Sequence, residues 1–143
     1  MNLSDIFLPL HLLSLAFVAW NVVQADHMGF TWMTGKVDTL NKEKVTKHHT
    51  RLWIGLSLMI ATGAVLAWPV REYLLTHPQF YIKMAFVITL IANGFIIGAL
   101  QDLAITRKFS TLSLKEKLPL FISGGLSTLS WIGAATMALF LLP

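Results

Sequence analysis

The chain contains no cysteine, which excludes disulfides, thiolate metal sites and cysteine nucleophiles. Charge is also scarce. Only 13% of residues are Asp, Glu, Lys or Arg, about half of the roughly 25% usual in soluble domains. The scarcity is not uniform, and its distribution carries the argument. Residues 6–25, 52–68 and 118–142 hold no charge at all, and 80–100 holds only Lys83. All seven acidic residues and ten of the eleven Lys and Arg lie outside these stretches. A bilayer core of about 30 Å takes roughly 20 apolar residues in helical form. The four stretches therefore predict an all-α integral membrane four-helix bundle, one domain over 1–143. A soluble bundle of the same helices would need polar faces that these segments lack.

The first span has no basic n-region and no small-residue cleavage site, so it is expected to be a retained helix rather than a signal peptide. No intramembrane carboxylate is present for a proton relay, and no phosphate-cradling loop or Ser/His/Asp arrangement is visible.

Lys and Arg alternate cleanly between the connecting segments. Segment 26–51 has Lys36, Lys42, Lys44, Lys47 and Arg51, and segment 101–117 has Arg107, Lys108, Lys115 and Lys117. Segment 69–79 has only Arg71, and both ends of the chain have none. The positive-inside rule then places both termini outside and both basic loops in the cytoplasm, as in a bacterial inner-membrane protein. The net charge of +4 resides in these loops, so it is assigned to topology and anionic lipid, with no nucleic acid implied. The expected partners are the lipid bilayer and either membrane partner subunits or further copies of the chain.

Local signals are few. Ser4 and Asp5 offer a cap for the first helix, and Ser113 to Glu116 have capping-box spacing for the start of the last. Residues 38–48 suit a short amphipathic surface helix. Trp68, Tyr73, Phe80 and Tyr81 suit an outer aromatic belt, and Trp32 and Trp53 an inner one. Gly55, Gly63, Gly94, Gly98, Gly124, Gly125 and Gly133 suit close helix packing in lipid.

Ionisable residues inside a span are functional candidates. His11 is five residues into the first span, about 8 Å below the outer surface at 1.5 Å per residue. Lys83, three residues into the third, lies about 5 Å below the same surface. Lys83 is shallow enough to snorkel instead, and His11 could simply be neutral and hydrogen-bonded to a neighbouring helix. Asn93, mid-span, either hydrogen-bonds across helices or lines a cofactor pocket. His27, His48 and His49, with Asp26 alongside, form a second candidate metal or haem group at the cytoplasmic side.

The pattern resembles the superfamily of HemJ-type protoporphyrinogen oxidases and CopD-type copper-resistance membrane domains. The resemblance rests on four spans in about 140 residues, on the His in "LHLLSLAFVAW" and on the Lys in "FYIKMAFVITLIAN". It implies haem b between helices 1 and 3, with His11 on the iron and Lys83 either toward a haem or porphyrin propionate or as a second ligand, and a redox role that extends to porphyrinogen oxidation. His11 and Lys83 would then be the catalytic pair, and Asn93 would join them in binding the cofactor. The chain departs from the family in two places. Lys115-Glu116-Lys117-Leu118-Pro119 stands where the HemJ type has its Asn-Glu-x-Pro signature, and no His follows Lys83 in the third span. Two other readings fit the same residues. One is a CopD-like copper protein, for which the chain offers no Cys and no Met-x-x-Met cluster. The other is a non-catalytic four-helix subunit of a larger membrane complex.

The absence of native cysteine makes the topology directly testable. Ser4→Cys should react with a membrane-impermeant maleimide on intact cells, and Lys44→Cys only after the membrane is opened. The reverse pattern would invert the orientation.

Overall fold

The computed structural model describes residues 2–141; Leu142, at the end of the fourth expected span, lies outside them. Five α-helices follow one another: α1 Leu3–Met33, α2 Lys42–Ala67, α3 Arg71–Leu75, α4 Pro78–Thr106 and α5 Leu114–Leu139. Short 3-10 turns at Trp68–Val70 and Phe109–Thr111 join them. The stretch Lys42–Leu75, taken as one, and the helices α1, α4 and α5 are each long and apolar enough to cross a membrane. At most 17% of each apolar window is buried. Side chains such as Leu13, Trp20, Ile88, Phe95 and Leu129 stand outward, where a soluble protein would place polar ones.

The helices outrun the apolar stretches because nothing at the stretch ends breaks a helix. Past residue 25, α1 continues through Asp26 and His27 to Met33. It stops at Gly35, whose φ of 73° is open to glycine without strain. The amides of Thr34, Gly35 and Lys36 close the end onto Phe30, Trp32 and Thr31. Asn2 caps α1, and the Asn2 amide donates to Asp5 Oδ2 at 3.0 Å. The cap therefore lies two residues before Ser4, and Asp5 is its reciprocal partner. The capping box at Ser113 forms as expected, with its amide donating to Glu116 Oε2 at 2.8 Å. No separate surface helix occupies 38–48. Asn41 accepts from the Lys44 amide at 3.0 Å and starts α2 there, so the amphipathic residues become its first turns.

The chain divides into two compact units. The first comprises the residues up to Val70 with Leu103–Thr111, and the second comprises Arg71–Asp102 with the residues from Leu112 onward.

In the first unit α1 and α2 pack antiparallel. Ser14, Val18 and Asn21 are buried on α1 at steps of four and three, the spacing of a two-helix seam. On α2, His48, Gly55 and Thr62 follow at steps of seven. Gly55 lies against Val18, and a Cβ there would collide with the Val18 methyl. A Cβ at Gly63 would stand 3.4 Å from the His11 ring.

Beyond that seam, the two basic loops are tied together at one end of the unit. The Leu40 amide donates to the Ala104 carbonyl at 2.8 Å. Trp32 Nε1 donates to the Arg107 carbonyl at 2.9 Å, and its ring meets Phe109 edge-on at 5.2 Å. Lys108 and Asp38 form a 2.8 Å salt bridge. Trp32 is only 3% exposed. It is the bolt of this clasp and not a belt residue, because its indole N–H finds a carbonyl acceptor inside the protein.

In the second unit α4 and α5 are joined by a reciprocal pair. Asn93 Nδ2 donates to the Ser123 carbonyl and Ser123 Oγ donates to Asn93 Oδ1, each at 2.8 Å. One α5 turn beyond Ser130, Gly133 receives the Phe86 ring, whose nearest atoms would be 2.5 Å from a Cβ. Gly124 and Gly125 have nothing within 4 Å of a would-be Cβ among the described residues, so packing does not require them.

These differences order the glycines. Gly55→Ala and Gly133→Ala should each lower stability by about 1–3 kcal/mol through overpacking. Gly124→Ala should change it by less than about 0.5 kcal/mol. Thermal unfolding in detergent, followed by circular dichroism, checks the ranking.

Candidate functional site

A threonine hydroxyl has one hydrogen, and in α2 that hydrogen has a definite place. Thr62 Oγ1 lies 2.7 Å from the Leu58 carbonyl, which can only accept. The hydroxyl must therefore donate there, in the back-bonding common to Thr within helices. His11 Nδ1 lies 2.7 Å from the same Oγ1. With the hydroxyl hydrogen committed, Nδ1 must supply the hydrogen of this second bond. Nδ1 is thereby held as a donor, and in the neutral ring this is the Nδ1–H tautomer with its lone pair on Nε2. Thr62 is 3% exposed and His11 is half-buried. This arrangement, a histidine oriented by a hydrogen bond through the nitrogen that does not ligate, is what metal-binding histidines use.

The same logic applies at the other end of the α1–α2 seam. Asn21 Nδ2 donates to the Phe17 carbonyl at 2.8 Å, so the amide oxygen is the atom that faces His48. His48 Nδ1 lies 3.4 Å from it and donates. His48 is half-buried, while Asn21 is 2% exposed. His49, one residue on, accepts from Trp53 Nε1 at 3.2 Å within α2. His27 is exposed on α1. Among the described residues, no three His, Cys, Asp or Glu side chains come together as a metal-ligand group. His27, His48 and His49 are thus placed one by one.

In the second unit Lys83 is half-buried in the second turn of α4 and makes no ion pair with any described residue. Asn93 is 3% exposed, with both ends of its amide engaged by Ser123. It makes the cross-helix hydrogen bonds expected of a buried Asn in lipid.

Sequence reasoning singled out His11 and His48 but not the residues that orient them. Thr62 carried a signal all the same, because it and Ser57 are the only hydroxyls in 52–68. Asn21 is a polar residue near the C-terminal end of the first apolar stretch. What could not be seen was which helix it faced.

Comparison with protein-family models, curated proteins and solved structures found no match. The class of the protein therefore rests on its own features: an all-helical chain with four helices long and apolar enough to span a membrane.

The assigned tautomer gives a direct check. In ¹⁵N spectra of histidine-labelled protein in lipid, His11 should show a protonated Nδ1 and an unprotonated Nε2. Thr62→Val should remove that preference. A protonated Nε2 in the unaltered protein would overturn the assignment.

Proposed function

We propose that this is an integral protein of a bacterial inner membrane, with both termini outside, that binds haem b through His11 and serves a redox role. The observation that supports it best is the His11–Thr62 hydrogen bond at 2.7 Å with the hydroxyl hydrogen committed to Leu58. It puts a hydrogen on Nδ1, so that the neutral ring would offer Nε2, the nitrogen an axial ligand needs.

The residues present fit the group. His11 supplies the nitrogen, and Thr62 keeps the ring in one tautomer and raises its basicity. Gly63 faces the same ring, and a Cβ there would stand 3.4 Å from Cε1. A bound haem would supply a one-electron iron centre whose potential follows from axial ligation and burial. The family resemblance assigns Lys83 to a propionate. Its ammonium is a point charge suited to a carboxylate, and it has no acidic partner among the described residues. Porphyrinogen oxidation is the sharpest form of this reading.

One observation favours a non-catalytic subunit instead. Gly124 and Gly125 leave an uncovered stretch of small residues on α5, of the kind helices use to approach one another in lipid.

The two readings part on colour. Protein purified in mild detergent, after expression with ample haem supply, should show a Soret band that shifts on dithionite reduction. His11→Ala should abolish the band. Thr62→Val should weaken haem retention by about tenfold or more, as loss of an orienting partner does, while Lys83→Gln should weaken it without removing the axial ligand. Colourless protein that co-purifies with a stoichiometric membrane partner would establish the subunit reading.

A further inference from the structure

The loop clasp has a second consequence, independent of haem. Lys36, Lys42, Lys44 and Lys47 are all exposed, and none forms an ion pair with a described residue. Glu43, the acid among them, is exposed and unbridged as well. An open hollow lined by Lys42, Glu43, Thr46 and Lys47 lies on this surface. Lys108 is brought to the same end by its bridge to Asp38. The segment carrying Lys36 is closed onto the end of α1, and Leu40 is hydrogen-bonded to Ala104 immediately before α2 begins. The lysines of α2 are also rigidly placed, because Lys42–Arg51 are helical and continuous with the apolar run from Leu52. Lys47 stands five residues before that run, about 8 Å along the axis. That is the depth of the headgroup layer, which adds about 5–8 Å to each side of a 30 Å core.

Unbridged ammonium groups on a helix continuous with the apolar run, Lys47 at headgroup depth and Lys44 and Lys42 just beyond it, outnumber the one acid between them, Glu43, and are matched by anions of the leaflet. We propose that this end of the first unit is a docking surface for anionic phospholipid headgroups, with Lys47 at the phosphates, Lys44 and Lys42 adding their charge just above them and Lys36 beside them. The surface goes beyond orientation. The rule that sets topology needs only the number of Lys and Arg, whereas this clasp holds them in one place so that lipids of one charge class are selected from a mixture.

The test uses the intact protein in nanodiscs made from equal parts phosphatidylglycerol and phosphatidylcholine. Lipids retained after detergent extraction are counted by native mass spectrometry. Each lysine near an anionic surface contributes about a fivefold preference, so the unaltered protein should retain phosphatidylglycerol selectively. The triple variant Lys42→Gln, Lys44→Gln, Lys47→Gln should lose on the order of a hundredfold of that preference. The matching triple Lys→Arg variant should keep it. Loss in the arginine variant too, or full retention in the glutamine variant, would overturn the proposal. Should the glutamine variant fail to fold, a salt series on the unaltered protein decides. Exposed charges are screened by about 1 M salt, and a preference that survives it undiminished would refute an electrostatic docking surface.

Discussion

Inside an apolar span, water is not there to complete a polar side chain, so each hydrogen must find a protein acceptor. In this chain the nearest acceptor is usually the carbonyl four residues back on the same helix. Ser14 donates to Leu10, Asn21 to Phe17 and Thr62 to Leu58. The remaining acceptor lone pairs of Asn21 and Thr62 then face across the α1–α2 seam, and each receives a histidine. One constraint thus sets the tautomer of His11, that of His48 and the pairing level of two helices. The second unit solves the same problem differently. Asn93 and Ser123 satisfy each other, so the cross-helix bond joins the helices directly.

Such bonds are modest in strength, averaging about 0.6 kcal/mol in membrane helices. Register comes as much from shape. Gly55 admits Val18, and Gly133 admits Phe86. Each glycine is a depression at the level of a large neighbour, so sliding the helices by one turn would lose the fit and place polar groups opposite hydrocarbon. The polar pairs and the glycine contacts therefore specify the same alignment in each unit, and neither has to carry it alone.

The four long helices were legible because charge is excluded from hydrocarbon, and a residue list records that exclusion directly. The capping box at Ser113 was legible because its geometry is local, confined to three residues of spacing. What depends on helix rotation was hidden. Trp32 has the composition of an interfacial aromatic, and only the fold shows its indole turned inward to Arg107. The His11–Thr62 pair joins residues 51 positions apart, and spans that are apolar all round give no moment from which to infer facing sides. The glycines illustrate the same limit. Gly55 and Gly124 are alike in sequence, yet one is filled by a neighbour and the other is not.

The clasp between the loops also bears on how the protein answers to its solvent. Through Trp32, Leu40 and Ala104 it fastens the end of α1, the approach to α2 and the last turn of α4 at one level. A lone helix meets a thinner or thicker bilayer by tilting on its own. Helices pinned at a shared end lack that independence. Changes in bilayer thickness then reach this unit as one collective demand, borne at its unclasped end, where His11 and Thr62 meet.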